Sequence, residues 1–375
     1  MQKEVTGSIN KIFAAILIGV MLILMIGIVV SGWQTDSNGE NSGDNGNITV
    51  NADNLNGDTD KNNGTADNFS SSEISQSKSP EYVNYLTGAE ISEKDQNRNP
   101  FVIVTDPNAL SYGISRAELT VEIPVENGGT RMLTYITDIS DLGKLGALRS
   151  TRKYITSNTS FFGGLVIANG NDDIISYTAL SSEIAIDLSK HSDAVHMENG
   201  KSLYTDGESI MKIVKDEGTD LISYKRPTLP FDFCAFDESV YGKSYATEIL
   251  IPYSDSNSTA FVYDASSKAY VLYKNERIKT DMLNGEAVAY KNVFLLFADV
   301  ITYETAYGTE SIVKNDTSGT GYYFSCGTLT EIKWSVDPSG NLIFKDLSGK
   351  RLEVNRGNSF IGYYKSSDAD AVTFK

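Results

Sequence analysis

The sequence predicts an α+β protein, with a mixed α/β domain over residues 80–228 and a mainly antiparallel β domain over residues 229–375. Three observations lead to this fold class. A long apolar run and a polar stretch come first, helix and strand patterns then alternate, and short strand patterns separated by turns fill the rest. We therefore expect one transmembrane helix, a disordered stalk and two folded domains, in that order.

Composition narrows the classes of function. The chain has 375 residues, and 32 Lys+Arg against 49 Asp+Glu give a net charge of −17. This balance argues against a nucleic-acid partner, because phosphate recognition needs a basic surface. The 2 cysteines are too few for a disulfide scaffold or a four-cysteine zinc site, and we expect no cofactor and no metal.

The first element is a membrane anchor over residues 12–33. Ile12 to Val30 is free of charge, and a helix continued to Trp33 is long enough for the hydrocarbon core of a bilayer. Lys3 and Lys11 precede the run, so positive charge places the tail of residues 1–11 in the cytoplasm and the rest outside. Cleavage after the apolar run, near residues 30–32, stays an alternative.

Residues 34–79 predict a disordered acidic linker. The stretch is rich in Asn, Asp, Gly and Ser, and it buries too little apolar surface to offset its ordering entropy. Asp58, Asp60 and Asn62 imitate the start of a calcium loop, but the twelfth position is Phe69 rather than the glutamate that such loops need.

The predicted mixed domain follows in order. A buried strand covers 101–106, and strands 119–125 and 130–138 form a hairpin around the turn 127–129. Ser150 is expected to cap a helix that runs to about residue 159. A strand at 165–169 is expected before a helix over 172–180, and a strand at 183–188 follows that helix. Asp206 is expected to cap a further helix from about Gly207 to Glu217 that ends at Gly218.

The second domain is predicted to be almost entirely β. Short alternating or apolar runs recur from about residue 246 to 365, and turn sequences such as Asp337-Pro338-Ser339-Gly340 separate several of them. This pattern is typical of a sandwich or a partly open barrel.

The densest polar cluster lies in two blocks, residues 126–131 and 146–154. Arg149 and Arg152 flank the expected helix start, where the helix dipole disfavours positive charge unless an anion binds. We expect Arg131 to converge on the same place, with Glu126 close by. The alternatives are a site for phosphate or carboxylate and an internal arginine–glutamate network.

Other motifs carry weaker predictions. Ser150 and Lys153 match the S-x-x-K of serine β-lactamases, but the K-[ST]-G element of those enzymes is missing. His191 and His196 lie in a segment whose spacing fits neither a helix face nor a strand face, which disfavours metal binding. Cys234 and Cys326 could form a disulfide or could be two separately buried thiols, and the sequence leaves both alternatives.

The order of segments resembles the YerB-like lipoproteins of Gram-positive bacteria, a family with a domain of unknown function, over roughly residues 84–365. The matching motifs are Asn84–Gly88 (N-P-L-T-G), Glu126–Arg131 (E-G-G-x-T-R), Gly146–Arg152 (G-x-x-R-S-x-R), Leu203–Thr205 (end of P-H-N-L-Y-T) and Asn292-Val293. This chain has a transmembrane run in place of the lipobox cysteine, and Gly200-Lys201-Ser202 in place of P-H-N. The resemblance implies a two-part extracytoplasmic protein without a known activity.

The predicted function is that of a single-pass, membrane-anchored binding or scaffolding protein of the Gram-positive cell envelope, with its folded domains outside. Its ligand would be an anionic wall component or a carboxylate-bearing peptide, and its partners a wall ligand or an envelope protein. The predicted binding residues are Glu126, Thr130, Arg131, Arg149, Ser150, Arg152 and Tyr204. The alternatives are a wall-polymer hydrolase or transferase that uses Glu126 as acid or base, and a purely structural partner protein.

Overall fold

The computed structural model describes residues 80–156, 158–170, 185–222, 227–236, 238–305 and 308–375, all in one compact unit. Strands account for 47% and helices for 14% of it, with only three α-helices. The predicted α+β class with a mixed α/β domain is therefore wrong, and the protein is mostly β. The predicted tail, anchor, acidic linker and helix at 172–180 lie outside the described residues.

The first part of the chain contains eight strands and all three described helices. The strands are β1 (Phe101–Thr105), β2 (Leu119–Pro124), β3 (Thr130–Ile136), β4 (Leu145–Leu148), β5 (Leu165–Ala168), β6 (Ala185–Asp187), β7 (His196–Glu198) and β8 (Ser202–Thr205). The helices are α1 (Lys153–Thr156), α2 (Asn158–Phe162) and α3 (Gly207–Glu217).

The later part of the chain adds sixteen strands. They are β9 (Asp232–Phe233), β10 (Ser244–Tyr245), β11 (Glu248–Ser254), β12 (Asn257–Asp264), β13 (Ala269–Lys274), β14 (Arg277–Ile278), β15 (Ala289–Tyr290), β16 (Asn292–Ala298), β17 (Val300–Thr305), β18 (Gly308–Val313), β19 (Ser318–Ser325), β20 (Thr328–Val336), β21 (Leu342–Asp346), β22 (Glu353–Val354), β23 (Ser359–Lys365) and β24 (Thr373–Phe374).

One 14-stranded sheet draws on both parts of the chain. Its main path runs β10-β20-β19-β16-β23-β2-β3-β1-β4-β8-β7. Strand β23 joins the two parts, because it pairs in parallel with β16 on one side and with β2 on the other. The division into residues 80–228 and 229–375 stays a prediction about independent folding, which truncation can test.

A six-stranded sheet, β14-β13-β12-β11-β24 with β15 on β13, packs against one face of the long sheet. The apolar cluster between them includes Ile251 and Phe261 from the smaller sheet, and Leu295 and Phe360 from the larger one. The opposite face buries Val121 and Leu133 together with residues of α1 and α2. Strands β2 and β3 are therefore covered on both faces.

Several predicted elements are confirmed, among them the strands expected at 165–169 and 183–188, which are β5 and β6. Strand β1 is buried throughout, and β2 and β3 form the expected antiparallel hairpin. Helix α3 begins after Asp206, whose side chain accepts a hydrogen bond from the Ser209 N–H, and ends at Gly218 with a φ of 68°. These elements have local signals, namely an apolar run, a glycine turn and a pair of helix caps.

The structure does not have the helix start that was expected at Ser150. The Arg149 N–H donates to the Val104 carbonyl and the Thr151 N–H donates to the Gly170 carbonyl, so the chain is still paired like a strand there. The first α-helix of the described residues starts only at Lys153. Ser150 therefore caps nothing, and Arg149 is not at a helix end.

Candidate functional site

The site is built around the turn between β2 and β3. Asn127 and Gly128 both have left-handed backbones, with φ values of 57° and 69°. A Cβ at Gly128 would lie 2.5 Å from the Ser254 Cβ, so glycine is required there by both backbone and space. The turn places Glu126 just before β3 and Arg131 as its second residue.

Glu126 pairs with the arginine that precedes α1. The Arg152 Nη2 donates to Glu126 Oε1 at 2.5 Å, and the two side chains are only 9% and 21% exposed. The second carboxylate oxygen, Oε2, is buried without a hydrogen-bond partner. This ion pair is therefore largely withdrawn from solvent but incompletely satisfied.

A second ion pair lies at the end of β1. The Arg149 Nε and Nη2 both contact Asp106 Oδ2, at 3.0 and 2.5 Å. Burial raises the pKa of Asp106, but hydrogen bonds from the Arg149 guanidinium and the Asn108 N–H outweigh it, so the pKa lies below its usual value. The Asp106 carboxylate thus stays ionised at neutral pH.

Arg131 lies between these two pairs. The register of β1 and β3 ends at Thr105 and Met132, so the next residues along, Asp106 and Arg131, are neighbours. The Arg131 Nη1 donates to the Thr130 carbonyl at 3.2 Å, and its Nε is buried without a partner. Among the described residues, no carboxylate lies within 4.0 Å of its guanidinium.

The environment of Arg131 is electrostatically unfavourable. Burial lowers the pKa of its guanidinium, and the charges of Arg152 and Arg149 lower it further, while Asp106 and Glu126 act in the opposite direction. Three arginines therefore share two carboxylates. We call these five residues the arginine cluster, and it carries one positive charge that no described carboxylate balances.

The remaining predicted site residues do not join the arginine cluster. The Thr130 hydroxyl is buried on the other face of β3 and donates to Glu122 Oε1 at 2.7 Å. Ser150 is half-buried beside Arg149 in the chain. Tyr204 packs edge-on against Tyr112, with the ring centroids 5.2 Å apart.

Sequence reasoning missed Asp106 and a buried polar network beneath the turn. Asp106 directly follows a buried strand, which was a usable signal for a side chain at a sheet edge. The network joins Glu122 to Lys274, whose Nζ lies 2.8 Å from the Glu122 Oε1, and the two side chains are 0% and 4% exposed. No local sequence pattern pairs residues 152 positions apart.

The two histidines contact different acids, whereas the two cysteines contact the same asparagine. His191 Nε2 is 3.1 Å from Glu217 Oε1, whereas His196 Nε2 is 3.7 Å from Asp206 Oδ2. Both cysteines are free thiols, and each contacts the side-chain amide of Asn355. In the described part of the chain, no three His, Cys, Asp or Glu side chains group as a metal site requires.

Comparison with known proteins places this chain in a family. The model described as "Protein of unknown function (DUF3048) N-terminal domain" matches residues 86–220, and the corresponding C-terminal domain matches residues 249–361. "Putative lipoprotein YerB" of Bacillus subtilis (strain 168) is 26% identical over 302 residues, covering 77% of this chain and 88% of that protein. The chain belongs to the YerB-like family.

A solved structure of a YerB-like protein supports the fold. The crystal structure of YerB protein from Bacillus subtilis matches with a TM-score of 0.67 and 20% identity, over 78% of this chain and 99% of that one. At this identity the match establishes the shared architecture alone. Among the helices within the described ranges, none combines the length and apolar character needed to cross a membrane.

Proposed function

We propose that this YerB-like protein is an extracytoplasmic binding protein of the cell envelope that holds one anionic group at the arginine cluster. The ligand would be a carboxylate or phosphate group of a wall component or peptide. The observation that carries the proposal is Arg131, a partly buried guanidinium between two arginines and without a carboxylate of its own among the described residues.

The charge of the whole chain strengthens this argument. A protein with a net charge of −17 has many acids with which to pair an arginine. Clustering three arginines around two carboxylates costs electrostatic free energy in the free protein, and a bound anion would recover it. A planar guanidinium with unused N–H groups is also well suited to a forked carboxylate or phosphate.

Binding is favoured over acid–base catalysis. A general acid at neutral pH needs a raised pKa, whereas the pKa of Asp106 is lowered and the Glu126 carboxylate is paired with Arg152. Both carboxylates therefore position arginines. The arrangement supports recognition of charge rather than proton transfer.

The cellular setting rests on the relative and on the N-terminal sequence. The Bacillus subtilis relative is named a putative lipoprotein, which is a membrane-attached class. In this chain, Ile12–Val30 would take the place of a lipid anchor, with Lys3 and Lys11 on the cytoplasmic side. The folded residues would then face the cell wall from a single-pass, N-in/C-out anchor.

The test uses Arg131→Met in the full chain, with Arg116→Met as control, because Arg116 pairs with Asp141 at an exposed site. Binding of a muramoyl dipeptide and of a glycerol phosphate oligomer is measured by calorimetry. We expect one of the probes to bind about tenfold to a hundredfold more weakly to Arg131→Met, as a charge-assisted contact is worth about 1.5–3 kcal/mol.

The control should bind like the wild type, and the melting temperature of Arg131→Met should not fall. The proposal is refuted if neither probe binds the wild type, or if Arg131→Met and the wild type bind both probes equally.

A further inference from the structure

A second site lies on the far side of the loop that follows β1. A cavity of about 530 Å³ opens between this loop, residues 107–111, and the hairpin of β13 and β14. Pockets of about 300–1,000 Å³ are the usual size for small-molecule sites. The cavity is lined by both polar and apolar groups, among them Lys279, Arg277, Leu110 and Met282.

Lys279 is the charged group inside this cavity wall. The residue is 7% exposed, and its Nζ donates to the carbonyl oxygens of Pro107 and Ala109 at 2.7 and 2.6 Å. An ammonium group has three N–H donors, so one donor has no acceptor among the described residues. No described carboxylate lies within 4.0 Å of this ammonium group either.

The neighbouring lysine shows what a fully paired buried ammonium looks like. Lys274 also lines the cavity, but its Nζ contacts Glu122 at 2.8 Å, Asn257 at 3.1 Å and Thr259 at 2.7 Å. All three of its donors are used and its charge is balanced by Glu122. Lys279 therefore supplies the unbalanced charge of the buried wall, and Arg277 adds a second positive charge at the exposed rim.

We propose that this cavity binds a carboxylate group, with the Lys279 ammonium as its counter-ion and an apolar group of the ligand against Leu110 and Met282. These two side chains are 53% and 46% exposed and so offer apolar surface at the opening. Burial of an ammonium without a carboxylate is costly, and a bound carboxylate would remove that cost.

The surroundings favour a singly charged ligand over phosphate. The carbonyl oxygens of Pro107 and Ala109 already face the Lys279 ammonium and would repel additional anionic oxygens. One free N–H fits one carboxylate oxygen. The pKa of Lys279, lowered to about 8 by burial and by the charge of Lys274, leaves it protonated at neutral pH.

This site is separate from the arginine cluster. Asp106 and its partner Arg149 belong to that cluster, whereas Lys279 contacts the residues that follow Asp106 in the loop. Asp106 raises the pKa of Lys279 through its charge, but the hydrogen bonds of Lys279 go to Pro107 and Ala109, so each site has its own contact residues.

The test measures binding of N-acetyl-leucine to the full chain by NMR titration, with N-acetyl-leucinamide as its neutral counterpart and inorganic phosphate as the competing anion. We expect saturable binding of the acid and at least tenfold weaker binding of the amide and of phosphate. The proposal is overturned if the acid shows no saturable binding, if acid and amide bind equally, or if phosphate binds as tightly as the acid.

Variants locate the site. Lys279→Met should weaken binding of the acid at least tenfold, whereas Lys333→Met, at an exposed position on β20, should not change it. Because Lys279→Met leaves two carbonyls without their donor, Leu110→Trp provides an independent test by filling the opening. Leu110→Trp should also weaken binding at least tenfold with an unchanged melting temperature, and Arg131→Met should have no effect. Wild-type binding in Leu110→Trp would overturn the proposal.

Discussion

The two faces of the β2–β3 hairpin carry ion pairs that differ in how completely they are satisfied. Thr130 and Arg131 are consecutive in β3, so their side chains point to opposite faces. On the Thr130 face, Glu122 and Lys274 are buried and every Lys274 donor has an acceptor. On the Arg131 face, three arginines share two carboxylates.

This difference separates structural charge from charge that is available to a ligand. A buried pair with complete hydrogen bonding holds the two sheets in one register, since Glu122 comes from the long sheet and Lys274 from the six-stranded one. A cluster with an unbalanced guanidinium contributes little to the free energy of unfolding. It contributes more to the binding of an anion, because the anion balances its charge. The comparison predicts a ranking of effects on stability.

The largest expected effect comes from Lys274→Met. The substitution leaves the Glu122 carboxylate buried at 0% exposure without its counter-ion, and breaking such a pair costs about 3–5 kcal/mol. Urea unfolding of the variant should show this loss against Lys345→Met, whose lysine is exposed on β21. A loss below about 1 kcal/mol would show that the Thr130 face does not depend on this pair.

Lys279 gives the next effect, which depends on pH. The pKa of Lys279 is about 8 in the folded protein and 10.5 in the unfolded chain, so the unfolded chain binds more protons between these two pH values. The cost of the buried charge is therefore full below pH 8 and is lost as the pH rises toward 10.5. Relative to Lys279→Met, the wild type should gain about 2–4 kcal/mol of stability over this interval.

Urea unfolding of the wild type and Lys279→Met at steps from pH 7.5 to 10.5 measures this gain. Tyrosines titrate equally in both proteins and cancel in the difference. A constant difference across the interval would contradict the lowered pKa.

Arg152→Met should have an intermediate effect. The variant removes the guanidinium partner of Glu126, whose side chain is 21% exposed and already has one oxygen without a hydrogen bond. We expect a loss of about 1.5–3 kcal/mol, the range for hydrogen bonds to charged groups. Thermal melts beside Arg116→Met check it, and equal melting temperatures in the two variants would show that Glu126 is adequately solvated.

Local sequence signals predicted part of this arrangement. The apolar run of β1, the turn at Asn127-Gly128 and the caps of α3 are encoded within a few residues, and all three were predicted correctly. The wrong fold class came from pairings that local patterns do not carry. Strand β23 joins β2 across more than 200 residues of sequence, so a mixed domain could not be distinguished from one large sheet.

The same limit applies to the candidate site. Alternation in β2 suggests that Glu122 faces solvent, but the six-stranded sheet covers that face and buries it. Arg149 resembled a residue at a helix start, whereas its N–H extends the sheet and its guanidinium pairs with an acid 43 residues away. The residue types indicated which side chains belong to the site, but only the tertiary structure shows which residues they pair with.

The smallest effect on stability is expected for Arg149→Ala. This variant tests whether the Arg149–Asp106 pair behaves as a solvent-exposed or as a buried ion pair. The Arg149 side chain is 44% exposed and that of Asp106 is 19% exposed, so solvent screens their attraction. Removing Arg149 also relieves its repulsion of Arg131. We expect a loss below about 1 kcal/mol at pH 7, where an exposed pair contributes this much at most.

The pH dependence of this loss identifies its source. The pKa of Asp106 is lowered in the folded protein, so its pair stabilises the protein above the unfolded pKa of about 3.9 and loses that contribution as the pH falls. The difference between wild type and Arg149→Ala in urea unfolding should therefore shrink as the pH falls below the unfolded pKa of about 3.9. A loss of about 3–5 kcal/mol at pH 7 would instead mean that Asp106 is stranded as a buried acid. The two faces of the hairpin would then be alike, and the arginine cluster would be structural rather than a site for an anion.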